Sequence, residues 1–100
     1  MEVKIEKENE RTVVAISGHL DTITAGELEQ QVTPLLEYNK HIVFECRELS
    51  YVSSSGLRII LSVHKKLLDN KGVLLLRNVS PEIQSILNMT GLNTILNIEQ

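Results

Sequence analysis

Apolar and polar positions alternate along Val3-Lys4-Ile5-Glu6-Lys7, the period of a strand with one wet face. A second apolar run, Val13-Val14-Ala15-Ile16, follows the polar stretch Glu8 to Arg11, and the two predict a hairpin. Leu28, Val32, Leu35 and Leu36 then recur at helical spacing, with Glu29, Gln30 and Gln31 turned outward. Thr24-Ala25-Gly26-Glu27 ahead of them has the form of a capping box, with Ile23 and Leu28 as a hydrophobic staple. Pro34 lacks an N–H and crowds the carbonyl four residues back, so this helix is expected to kink or end near Thr33.

His41-Ile42-Val43-Phe44-Glu45-Cys46 and Val73-Leu74-Leu75-Leu76 are short, mostly apolar runs, expected as central strands buried on both faces. Between them Leu57, Ile60, Leu61, His64, Leu67 and Leu68 form a helical stripe, Arg58, Ser62, Lys65, Lys66 and Asp69 point elsewhere, and Asn70-Lys71-Gly72 supplies the stop. A strand, a helix and a strand with this connection make a right-handed crossover between parallel strands. Ser80-Pro81 opens a third helix, with Ile83, Ile86 and Leu87 inward and an end at Thr90-Gly91, and Thr94 to Ile98 predicts a last strand. The predicted order β-β-α-β-α-β-α-β is that of an α/β fold, a mixed sheet packed with helices.

Composition narrows the setting. A chain of 100 residues, 42% of them hydrophobic, has room for one core, so residues 1–100 are expected to form a single domain. The longest apolar runs are four residues, against about 20 for a membrane helix, and no leader opens the chain, so a cytoplasmic protein without membrane insertion is expected. A net charge of −3, no basic block and three aromatic residues argue against direct nucleic-acid binding. The single Cys46 reads as a buried core thiol, and the Asn78 and Asn88 glycosylation patterns carry no weight without a leader.

Candidate chemistry is sparse. The five glycines form neither a G-x-G-x-x-G fingerprint nor a phosphate loop, and His19, His41, His64 and Cys46 lack the spacings of a zinc site, so no cofactor or metal is expected. His64, on the apolar stripe, reads as a satisfied or half-exposed histidine, and it lies about 15 Å along the helix from Ser54, too far to activate it. What remains is Tyr51-Val52-Ser53-Ser54-Ser55-Gly56, three hydroxyls at a helix start. Their residue chemistry leaves two readings open: a plain N-cap, or a functional hydroxyl where the dipole favours an anion, including a phosphate on the serine. Ser17-Gly18-His19-Leu20-Asp21 is a second cluster, and if its strand neighbours the Ile42–Cys46 strand, Asp21 lies near the serines.

In this order and separation the clusters resemble the STAS domain, in particular the bacterial anti-sigma factor antagonists. Gly18-His19-Leu20-Asp21 resembles the family's G-x-L-D, Ile42 to Leu49 its hydrophobic strand and loop, Ser53-Ser54-Ser55-Gly56-Leu57 its D-S-S/T-G-L, and Ser80-Pro81 with Met89-Thr90-Gly91-Leu92 its third helix and following turn. The resemblance implies a non-enzymatic protein that binds an anti-sigma factor, often itself a serine kinase, releases the sigma factor it held, is switched off by phosphorylation and is reset by a PP2C-type phosphatase. It places the phosphorylation on Ser54 and partner contacts on Asp21, Ser53, Ser54, Ser55, Gly56 and Arg58; Ser53 stands where the family usually has aspartate. Two other readings are a STAS subunit binding the ATPase of a lipid transporter without a phosphate cycle, and a serine-nucleophile enzyme, for which no base is placed.

Overall fold

A computed structural model describes residues 1–99. Strands β1 (Glu2–Glu8) and β2 (Arg11–Leu20) form the expected antiparallel hairpin, closed by Asn9 and Glu10 with Asn9 at φ 59°. Helix α1 (Thr22–Val32) gives way at Pro34 to a 3-10 turn, Thr33–Leu35, as the missing proline donor demands. Strand β3 (His41–Glu45), a short strand β4 (Leu49–Val52), helix α2 (Ser54–Asp69), strand β5 (Val73–Arg77), helix α3 (Pro81–Thr90) and strand β6 (Asn97–Glu99) complete the chain. The sheet order is β1-β2-β3-β5-β6, with β2, β3, β5 and β6 parallel.

The predicted order is present with one addition, β4, which extends the line of β3 and pairs with the last residues of β2 after a bulge at Gly18. Ser80 caps α3 with Pro81 behind it, and Gly91 ends that helix at φ 78°. The last strand starts later than expected, because Leu92–Thr94 close a 3-10 turn first.

Val14, Ile16, Ile42, Phe44, Leu74 and Leu76 on one sheet face pack with Leu28, Val32, Ile60, Val63, Leu67, Ile83 and Leu87 from the helices. Val13 and Val43 on the opposite face are buried as well, although no helix residue joins them in a cluster. That face carries an ion-pair chain instead: Glu8 accepts from Arg11 and Arg77, and Arg77 also donates to Glu45.

Several expectations need correction. Ile23 is 77% exposed, so it staples nothing, and Leu68 is 54% exposed at the last turn of α2. Val73 is exposed at the rim and Leu75 only half-buried, so β5 is less enclosed than β3. His64 is neither satisfied nor half-exposed: it is buried, and its Nδ1 has no hydrogen-bond partner among the described residues.

Candidate functional site

The two sequence clusters meet because β2 and β4 are neighbours. Leu20 pairs with Val52, and the Leu20 carbonyl accepts the Ser53 N–H at 2.8 Å, so the starts of α1 and α2 hang from adjacent residues of one ladder.

The start of α1 is set by Asp21, not by Thr24. The Asp21 carboxylate accepts from the N–H groups of Ile23 and Thr24, each at 3.0 Å, while the Thr24 hydroxyl lies 2.7 Å from the Asp21 nitrogen. This is the reciprocal capping box moved three residues towards the N-terminus, with Thr in the third helical position where Glu is commoner. The backbone N–H of Thr24 first, then its hydroxyl, stabilise the ionised carboxyl and hold its pKa below the ordinary range. Asp21 is therefore an anion whose capping bonds all fall on Oδ1.

The three serines divide their work. Ser53 is the N-cap of α2, its hydroxyl accepting the Gly56 N–H at 3.2 Å. Serine and aspartate both serve as N-caps, so the departure at this position keeps the cap and removes one negative charge beside the site. The Ser55 hydroxyl lies 3.2 Å from that of Thr22, a tie between the two helix starts. Ser54 is exposed, and its hydroxyl has no hydrogen-bond partner among the described residues.

Gly56 is buried, and what it allows close is the protein itself. A Cβ there would stand 2.8 Å from the Leu20 carbonyl oxygen, 2.9 Å from Leu20 Cγ and 3.0 Å from Val52 Cγ1. The glycine thus seats α2 against β2 and β4 and shapes the site from beneath. Arg58 is exposed one turn beyond Ser54 and makes no ion pair among the described residues.

Sequence reasoning missed two parts of this surface. Thr22 and Ile23 form the exposed first turn of α1, and the D-x-x-T pattern from Asp21 to Thr24 is the signal that would have turned them outward. His19 and Tyr51 pair edge to face across the β2–β4 ladder, ring centroids 5.7 Å apart, which only the unexpected strand makes possible. No cluster of three or more metal-ligating side chains occurs among the described residues. Cys46 is enclosed in the core, where burial pushes its thiol up to about 12.

Comparison with known proteins bears on the same elements. A search of curated sequences finds the anti-sigma F factor antagonist of Paenibacillus polymyxa, 32% identical over 98% of this chain and 87% of its own. It also finds the anti-sigma-B factor antagonist of Bacillus subtilis, 30% identical over 92% of this chain and 85% of its own. Among solved structures, the Bacillus cell fate determinant SpoIIAA in its phosphorylated form superposes with a TM-score of 0.77 at 20% identity, covering 99% of this chain and 92% of that one. With residues 2–100 also matching the STAS domain model, the ladder and the paired helix starts it carries have their place: this chain belongs to the STAS domain family.

Proposed function

We propose that the protein is an anti-sigma factor antagonist. In this reading its unphosphorylated form docks an anti-sigma factor through the starts of α1 and α2, and phosphorylation of Ser54 abolishes the docking. The observation that carries the reading is the division among the serines: Ser53 caps and Ser55 is tied to Thr22, whereas Ser54 presents an exposed hydroxyl with no partner among the described residues. The names of the relatives point to the same partner class.

The surface suits a docking role. Ile23 offers an exposed apolar contact next to the polar Thr22, Asp21 supplies a fixed negative charge, and Arg58 supplies a positive one. In the switching step the Ser54 oxygen bonds to the γ-phosphorus of ATP held by the anti-sigma kinase. Its proton passes to a base on the kinase, and ADP departs. A PP2C-type phosphatase then returns the serine and free phosphate by hydrolysis. The phosphate brings about −1.5 to −2 charges. An exposed helix start accommodates them, but a packed interface has to desolvate or repel them.

The test is intact-mass and phosphosite analysis after incubation with the candidate anti-sigma kinase and ATP. One added phosphate is expected on the native protein and none on Ser54→Ala. Ser54→Asp should weaken anti-sigma binding at least tenfold while moving the thermal midpoint by no more than a few degrees, as befits an exposed position. Phosphorylation elsewhere, or undiminished binding by the phosphorylated protein, would end this reading; capture of a transporter ATPase instead would favour the constitutive STAS subunit.

A further inference from the structure

The protein has four arginines, at 11, 47, 58 and 77. Two of them, Arg11 and Arg77, are bound to carboxylates across the helix-free sheet face. Arg47 lies in the loop between β3 and β4. Arg58 stands alone on an unbroken helix, and the side chains three and four residues to either side of it are Ser54, Ser55, Leu61 and Ser62. None of these carries a charge, and the first turn of α2 holds no acidic residue. The guanidinium therefore has no ionic partner within its own helical reach in the unmodified protein.

Ser54 and Arg58 are four residues apart on one helix, and both are exposed. Side chains at that spacing are neighbours, with Cβ atoms about 5–6 Å apart, and the anion on the N-terminal side is the favourable orientation for a helical ion pair. Ser55, three residues from Arg58, competes less well because its hydroxyl is held by Thr22. We infer that Arg58 is the internal receiver of a phosphate on Ser54, forming a charge-assisted pair that holds the phosphate along the α2 surface. A guanidinium suits this task better than an ammonium would, because its planar fork engages two phosphate oxygens at once. Phosphorylation would then change the surface twice, by adding an anion and by occupying the one cation on the first turns of α2. This rests on the reading that Ser54 is the phosphorylated residue.

The experiment uses the whole protein carrying genetically encoded phosphoserine at position 54, so that no kinase is needed. Phosphorus NMR titration reads the second ionisation of the phosphate, near pH 6 for free phosphoserine. In the native sequence this ionisation should lie lower than in Arg58→Gln by roughly half a pH unit or more, since a nearby cation favours the dianion. Arg58→Lys should fall between the two. Coincident titrations of the native and Arg58→Gln phosphoproteins would overturn the inference. Binding of the same samples to the anti-sigma factor reports separately: a phosphorylated native protein that still binds refutes the switch, whatever Arg58 does, whereas lost binding with coincident titrations refutes only the clamp.

Discussion

Replacing Gly56 by alanine tests whether close packing of helix on strand, and not helix propensity, governs this site. Propensity alone favours the change, since alanine exceeds glycine by about 1 kcal/mol inside a helix. The surroundings oppose it. The new methyl would meet the Leu20 carbonyl oxygen at 2.8 Å, Leu20 Cγ at 2.9 Å and Val52 Cγ1 at 3.0 Å, each well inside the ordinary carbon contact distance of about 3.5–4.0 Å. One of the three is backbone, and the same carbonyl accepts the Ser53 N–H, so relief requires α2 to lift off the ladder. Overpacking of this kind costs about 1–3 kcal/mol, and contacts this short on rigid neighbours belong at the upper end. The expected net loss is about 2 kcal/mol, which for a chain of this size lowers the thermal midpoint by roughly 10 °C. Gly26→Ala is the control: nothing lies within 4 Å of that Cβ position, so a gain of about 0.5–1 kcal/mol is expected. Thermal and urea unfolding followed by circular dichroism measure both. A Gly56→Ala protein as stable as the native one would refute the packing argument.

Three further outcomes are expected. Glu8, held low by hydrogen bonds from Arg77 and then Arg11, and Glu45, where burial raises the pKa but hydrogen bonds from Asn78 and Arg77 outweigh it, both ionise below the usual carboxylate range. Folded pKa values that lie lower contribute stability above the unfolded values, about 4.3 for glutamate, and lose it as pH falls through the folded ones; urea midpoints should therefore drop below about pH 4, and less steeply in Glu45→Gln. Cys46, with its thiol pushed up to about 12, should resist a thiol reagent at pH 8 in the native state and react on unfolding; rapid native labelling would contradict its burial. His64→Leu removes a buried nitrogen with no partner among the described residues and should raise stability by about 1 kcal/mol, read as a higher urea midpoint; a lower midpoint would mean that the ring is satisfied after all.

What the sequence made legible was periodic or punctuated. The hairpin, the proline break after Val32, the crossover through α2 and the serine and glycine bounds of α3 each rest on one local rule, and tertiary structure did not override them. The strand Leu49–Val52 was hidden because four residues with two exposed side chains have no period to read; it exists only because β2 outruns β3 and needs a partner. The capping box of α1 was misplaced for a related reason. Thr24 satisfies the local pattern at either end of the box, and what selects Asp21 is the ladder that stops at Leu20. Asp21 and the serines could be brought together from the sequence only on a condition about strand neighbours. The different duties of Ser53, Ser54 and Ser55 depend on Thr22 and on hydroxyl directions that no spacing encodes.

The hydrogen bond from Ser53 to Leu20 brings the start of α2 to the end of β2. Both helix origins join the β2–β4 seam, α1 directly after Leu20 and α2 through that bond, so their tips lie on one continuous surface. In the proposed switch, a phosphate on Ser54 would act on a partner there through surface potential. Its effect should therefore fade as added electrolyte shortens the distance over which charges are felt.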